Sequence, residues 1–410
     1  RAKELAVPLK SMHRADICDY SQLFELQALV NRGMGQVNWE TERRHREMPD
    51  VVNVTDEEVY ASARRIFEES KLRGYKYSRM KLDKYLNARW EWVPTGSVHS
   101  QYDEDDKFIA DEYRHRNKFV TINMMHREYI RTMFNRPPEI HAWASTKYEW
   151  AKQRAIYGVD LTSSVITNYA MFRCEDALQH RFPLGTEAAP GRVHKRLTAM
   201  MEASESFCYD FDDFNAQHSK GAMQAALQAY YDTYTDQMED EQKRAMEWVI
   251  ESVDNMVIHN NEGGRNEEYE AKGTLLSGWR LTTFLNTILN YVYFDVARAL
   301  RDNGSVVDSV HNGDDVLIAI KDVKAAISTH ERMSAINARA QPSKCNVYSI
   351  GEFLRVEHKV TKEGGMGAQY LARAAATLAH SRAESQEPTR VVDAVKARVT
   401  RCEEIAARAT

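Results

Sequence analysis

The segment around Asn312-Gly313 admits few structures. Val306, Val307 and Val310 precede it, and Val316, Leu317 and Ile318 follow. Apolar, β-branched runs on both sides of Asn-Gly are a strong short-range signal for a β-hairpin, because a two-residue turn needs the positive φ that Asn and Gly tolerate. A hairpin here puts Asp314 and Asp315 immediately after its turn. Adjacent carboxylates at a tight, largely buried turn raise each other's pKa unless a cation lies between them. Mg²⁺ suits such a place, being a hard ion held by one or two carboxylates together with substrate phosphates. A Gly-Asp-Asp triplet alone is equally a plain polar turn. Asp210 adds weight, since it closes the aromatic-rich segment Ser206 to Phe211, which reads as a strand. If that strand pairs with the hairpin, two strands bring carboxylates to one point, as two-metal phosphoryl transfer requires. Asp212 and Asp213 read as a solvated loop end.

The rest of the chain alternates between helix and strand patterns, which indicates an α+β fold. Thr55 and Glu58 form a capping box ahead of Val59, Ala63, Ile66 and Phe67, and Gly74 closes that helix. Trp92 to Ser97 reads as a loop. A helix is expected through Met223, Leu227 and Tyr230, another from Leu281 to Leu300, and a third from Val323 to Ala340, before Pro342.

A length of 410 residues suggests two or three packed units at roughly 100 to 200 residues each. The net charge of −5 excludes a surface basic all over, so any nucleic-acid contact must be local. Arg114 to Arg154 holds nine Lys or Arg against three Glu, and Tyr231 to Glu270 holds twelve acidic residues against three basic. The second stretch reads mostly as a solvated helical face that could keep nucleic acid off the outer surface. The five cysteines, Cys18, Cys174, Cys208, Cys345 and Cys402, lie far apart and read as reduced thiols of an intracellular protein. No apolar run of about 18 residues is present, so no membrane-spanning helix is expected. Arg1 opens the sequence in place of Met, which reads as a piece of a longer polypeptide.

At this point the residues resemble a known family. Asp210-Phe211-Asp212-Asp213-Phe214-Asn215-Ala216-Gln217-His218-Ser219, then Ser277 to Thr287, then His311 to Asp315 are similar, in that order, to palm motifs A, B and C of viral RNA-dependent RNA polymerases. The likeness is greatest to those of totiviruses and related double-stranded RNA viruses. Lys147 to Tyr157 resembles the basic fingers motif F, Lys344 stands where motif D has its lysine, Phe353-Leu354-Arg355 resembles motif E, and Pro94-Thr95-Gly96-Ser97 resembles motif G.

The resemblance implies a right-hand polymerase whose antiparallel palm sheet packs on helices. Fingers would fill residues 1–200, the palm 201–355 with a fingers-like insertion at about 220–275, and an incomplete helical thumb would begin in 356–410. It implies Asp210, Phe211, Asp314 and Asp315 as metal positions for two Mg²⁺ ions, with Mn²⁺ able to substitute. Lys344 would be a general acid. Lys147, Lys152, Arg154, Asn215, Ser277, Gly278, Thr282, Asn286, Thr95, Gly96, Ser97 and Arg355 would contact NTP or RNA. The bare Gly278 would let its loop approach a base pair, and Thr282 and Asn286, one helical turn apart, could reach a ribose 2′-OH. Many positive-strand virus polymerases have Asp at this position, whereas here it is Asn215, and totivirus-like sequences share the Asn. A reverse transcriptase usually places a bulky aromatic near that point, so Asn215 favours ribonucleotides. The implied partners are template and product RNA, NTPs and a viral capsid protein, possibly fused, within the virion or core particle in the host cytoplasm. A reverse transcriptase, or a non-catalytic RNA-binding part of a capsid, is the alternative.

Overall fold

The computed structural model describes residues 2–12, 20–30, 35–112, 115–149, 152–301, 304–347, 350–358, 367–380 and 391–406. Cys18, Arg114, Trp150 and Ala151 lie outside them. Among the described residues ten strands follow in chain order: β1 (Ile140–Glu149), β2 (Lys152–Val159), β3 (Glu205–Asp210), β4 (Met256–Asn260), β5 (Glu267–Glu270), β6 (Val306–Asn312), β7 (Asp315–Ile320), β8 (Asn346–Val347), β9 (Glu352–Phe353) and β10 (Val356–Glu357). The fold is mixed α and β, as the sequence indicates.

β6 and β7 form the expected hairpin, with the turn one residue later than Asn312-Gly313. Asn312 pairs with Asp315, so Gly313 and Asp314 make the turn. Gly313 carries the positive φ, 61°, which suits a two-residue turn led by glycine. Asn312 stays on the strand and donates its side-chain amide to the Pro183 carbonyl at 2.6 Å. Asp314 therefore sits within the turn, and Asp315 opens the return strand.

The hairpin belongs to a four-stranded sheet ordered β6-β7-β3-β8, antiparallel at every step. Alternation along β3 and β7 divides their side chains between two layers. Phe207, Tyr209, Val316, Ile318 and Ile320 enter the main core, while Cys208 and Leu317 join Val193, Leu197, Val310 and Phe353 on the other face. Against the core face lies the helix Thr282–Val296, whose Phe294 ring meets Tyr209, Phe211 and His311 edge-on. This central helix is buried all round: Phe284, Leu285, Ile288, Leu289, Val292, Tyr293 and Phe294 are fully enclosed. It stops short of the expected Leu300 because Arg298 turns left-handed, with φ 55°. The helix from Val323 likewise ends at Ala335 rather than Ala340, where Asn337 turns left-handed and ties its amide to Asp50 and Val51.

A second sheet is ordered β2-β1-β4-β5, with β1 and β4 parallel and the other pairs antiparallel. The acidic stretch is thus only partly helical, at the end of the helix Lys220–Tyr234 and at Asp240–Ser252, and its later half supplies β4 and β5. Nor is it a free acidic face. Asp236 pairs with Lys71 (2.9 Å), Glu239 with Arg79 (2.7 Å) and Glu270 with Lys220 (3.2 Å). Much of the basic stretch is also engaged internally: Arg136 grips the buried Asp105 at 2.8 Å, and Lys118 donates to Ser164 at 2.9 Å. The capping box at Thr55 and Glu58 forms as expected. Among the described residues no helix is long and apolar enough to cross a membrane.

The shifted turn has a direct test. Alanine at Gly313 must hold a left-handed φ at a cost of about 1 kcal/mol, so Gly313→Ala should lower the urea midpoint measurably. A midpoint equal to wild type contradicts a left-handed Gly313 in the turn.

Candidate active site

The register of β3 against β7 sets Asp210 directly opposite Asp315, and opposite residues on paired strands project to one face. Asp314 reaches the same place from the turn. Burial raises the Asp210 pKa, Lys344 opposes the shift, and among the nearby carboxylates Asp314 adds most, followed by Glu352. Asp315 is pushed up to about 7, first by burial and then by Asp314, Glu352 and Asp210. Four carboxylates thus share one end of the sheet. Phe211 buries its ring against Tyr209 and Phe214, so it can offer an ion only its main-chain carbonyl.

Lys344 is the cation inside this cluster. Gln341 donates its amide to the Asp210 carbonyl at 2.8 Å, which lays the Pro342–Lys344 turn beside the end of β3. The Lys344 ammonium then sits 2.6 Å from Asp210 Oδ1. Glu352, which the sequence reading missed, stands on β9 and accepts from Lys10 (2.6 Å) and Tyr370 (2.9 Å). Nothing local in sequence marks it apart from its place beside Phe353. Leu354 and Arg355 form the β9–β10 turn with φ of 53° and 63°, left-handed conformations that non-glycine residues adopt at a cost. Arg355 works against the raised pKa of Asp315.

The central helix fixes the Gly313–Asp314 turn from behind. Thr287 Oγ1 accepts from the Gly313 amide at 2.8 Å, and Asn290 Nδ2 donates to the Gly313 carbonyl at 2.9 Å. Asn290 Oδ1 lies 2.8 Å from Nδ1 of buried His311, whose Nε2 is 2.9 Å from Ser309 Oγ. Burial, with Arg181 and Arg196 nearby, pushes His311 down to about 3, so the ring is neutral and can donate from one nitrogen while accepting at the other. One turn earlier, Asn286 Nδ2 donates to Asn215 Oδ1 at 2.8 Å. Thr282 turns its hydroxyl to the Trp279 carbonyl at 2.7 Å and the Leu276 carbonyl at 3.0 Å. It shares a face with Asn286 but is occupied in closing the loop before the helix.

The Ser277-Gly278 loop docks on β2. Ser277 Oγ accepts from the Tyr157 amide at 3.1 Å, and a Cβ on Gly278 would fall 2.2 Å from the Tyr157 carbonyl oxygen. The close approach that demands glycine is therefore to a strand of the protein itself. Thr95, Gly96 and Ser97 are exposed and are pinned at their far end by His99, which stacks on Trp143 with ring centres 4.9 Å apart. Gly158 lies opposite Trp143, and its missing side chain leaves room for His99 and Ser97.

β1 and β2 carry the positive charge. Lys147 faces Arg154 and Glu149 faces Lys152 across the pair, all on one side. Lys147 (3.3 Å), Lys152 (3.5 Å) and Arg154 (3.1 Å) converge on Glu149. Burial raises the Glu149 pKa, but the three cations outweigh it and hold the group below the usual range. Lys152 falls to about 8 through burial and then Arg154, with Lys344 also contributing, so this cluster lies close to the carboxylates. Three cations sharing one acid leave positive charge for another anion.

The donor set suits a divalent ion: hard oxygen ligands, raised pKa values at Asp210 and Asp315, and mutual repulsion that Lys344 and Arg355 offset only in part. Among the described residues no three acidic, His or Cys side chains are already closed into an ion cage, and Lys344 holds the Asp210 oxygen that an ion would take. The raised pKa of Asp315 predicts a pH effect. Between the unfolded value near 4 and about 7 the folded protein binds a proton that the unfolded chain does not, so this contribution to stability is lost as pH rises. Asp315→Asn should melt above wild type at pH 8 without divalent ions, by about 1–3 °C, and the gap should close near pH 5. No gap at pH 8 contradicts it.

An acidic cluster on one sheet and a basic cluster on the other make a combination that phosphoryl transfer would use. The profile of the viral RNA-directed RNA-polymerase family matches residues 1–383, and the chain belongs to that family. It is 51% identical over 408 residues to the "Probable RNA-directed RNA polymerase" of Saccharomyces cerevisiae virus L-A, covering 100% of this chain and 27% of that protein. The corresponding protein of Saccharomyces cerevisiae virus L-BC is 41% identical over 391 residues, covering 95% and 25%. That of Leishmania RNA virus 1 - 1 is 27% identical over 370 residues, covering 86% and 39%. The chain spans about a quarter of the length of the first two relatives.

Proposed function

We propose that the chain is the catalytic part of a viral RNA-dependent RNA polymerase and performs template-directed nucleotidyl transfer from NTPs for replication and transcription of a double-stranded RNA genome. The observation that carries this reading is the meeting of Asp210, Asp314 and Asp315 at one sheet end, beside the cations of β1 and β2. Residues 1–200 then correspond to fingers, 201–355 to palm and 356–410 to the start of a thumb. Pairing of β4 with β1 supports assigning the 220–275 insertion to the fingers.

Asp210, Asp314 and Asp315, with the Phe211 carbonyl, would hold two Mg²⁺ ions or Mn²⁺ in their place. What the ions supply when bound is positive charge at the primer 3′-OH and at the departing pyrophosphate. Arg154 grips triphosphate oxygens in a bidentate manner, and Lys152 and Lys147 add charge on the same strand face. Lys344, released from Asp210, is placed to give a proton to pyrophosphate. Asn215 and Asn286 address the ribose. Ser277, Gly278 and Thr282 shape the loop beside the nascent pair, Thr95 to Ser97 border the template, and Arg355 stands at the primer side. Positioning and charge stabilisation therefore carry most of the catalysis. A capsid protein, as partner or as fused segment, and a place in the virion or core particle in the host cytoplasm fit the greater length of the relatives.

With RNA template, labelled NTPs and Mg²⁺, wild type should incorporate label and Asp314→Asn should fall to background. Equal incorporation by the two proteins sinks the polymerase reading and leaves RNA binding alone. Preference for dNTPs over NTPs would favour a reverse transcriptase.

A further inference from the structure

Behind Asn215 runs a buried hydrogen-bond chain to two residues that phosphate chemistry does not use. Asn286 Nδ2 donates to Asn215 Oδ1 at 2.8 Å, Asn286 Oδ1 lies 2.9 Å from His218 Nε2, and His218 Nδ1 lies 2.8 Å from the Tyr293 hydroxyl. His218 and Tyr293 are fully enclosed, and burial pushes His218 down to about 4, so the ring is neutral. The donor order follows from the chemistry of each group. Asn286 spends its amide N–H on Asn215, which leaves its carbonyl oxygen to face the histidine. That oxygen only accepts, so His218 carries its proton on Nε2 and accepts at Nδ1 from Tyr293. The chain runs one way, from Tyr293 through His218 and Asn286 to Asn215.

Polarity at the far end has a consequence for ligand choice. The oxygen of Asn215 is taken, so the end left over is its amide nitrogen, which has no protein partner among the described residues. Asn215 is half-buried, five residues beyond Asp210 at the end of β3. An amide N–H needs an acceptor, which a ribose 2′-oxygen supplies and the 2′-carbon of deoxyribose does not.

We infer that His218 is a positioning residue for sugar selection: through Asn286 it fixes the Asn215 amide so that its N–H donor faces the 2′-oxygen of the incoming ribonucleotide. Tyr293 sets the histidine tautomer. The inference rests on the polymerase reading and goes beyond it in assigning sugar discrimination to a buried side chain that touches no substrate.

The test compares kcat/KM for UTP and dUTP on one RNA template. Absence of synthesis by wild type with either substrate overturns the polymerase reading, and this inference with it. Given synthesis, His218→Phe should lower the UTP to dUTP ratio about tenfold or more, the scale of one lost hydrogen bond, with the dUTP rate largely kept. Tyr293→Phe, which removes a single hydroxyl, should shift the ratio the same way. His218→Gln, which can both donate and accept, should restore most of it. An unchanged ratio, or equal losses with both substrates, overturns the inference while leaving the polymerase reading intact. ¹⁵N NMR of histidine-labelled protein, assigned by difference from His218→Gln, should show His218 protonated on Nε2. Protonation on Nδ1 would mean that the chain runs in reverse, and overturns it.

Discussion

The central helix buries Asn286, Thr287 and Asn290 among aromatic and aliphatic side chains, and the rest of the site depends on how their hydrogen bonds are satisfied. An unpaired buried amide or hydroxyl costs about 1–3 kcal/mol, so each of these groups needs a partner held in place. The partners are the segments that carry the acidic residues: Asn215, five residues beyond Asp210, and the Gly313 amide and carbonyl beside Asp314. One rigid helix thereby spaces two loops that are a hundred residues apart in sequence. Two neutral histidines, His218 and His311, stand behind the two asparagines and fix which way each amide faces.

Electrostatics then divides the site between two sheets. The sheet containing β3 and β7 gathers carboxylates, with Lys344 and Arg355 against the repulsion. The sheet containing β1 and β2 gathers Lys147, Lys152 and Arg154 around a single Glu149. Each cluster is imbalanced in a way that a metal–triphosphate complex would correct, because divalent ions answer the first and phosphate oxygens the second. The Ser277-Gly278 loop, which leads into the central helix, presses on Tyr157 of the second sheet.

Much of this was legible in the sequence where short-range pattern decides. The hairpin, the Asp210 strand and the capping box at Thr55 all follow from local rules. The turn register did not, because Asn312-Gly313 and Gly313-Asp314 both make acceptable two-residue turns. Contacts from Thr287 and Asn290 to Gly313 select the second, and they come from a distant helix. No local pattern announces that the bare backbone of Gly278 also makes room for the Tyr157 carbonyl. Charge counting located the cations of β1 and β2, yet it could not see that Arg136 and Lys118 are engaged inside the protein, or that the acids from Asp236 to Glu270 largely have partners. Glu352 joins the cluster only through the folding of β9 against β7, which no local pattern announces.

Catalysis as proposed requires Asp210, Asp314 and Asp315 to take divalent ions in place of the Lys344 contact. Anomalous diffraction from crystals soaked in Mn²⁺ measures this directly. The account predicts a peak among those three carboxylates with the Lys344 ammonium moved off Asp210 Oδ1. An unaltered Lys344–Asp210 pair with no peak at the end of β3 would contradict it.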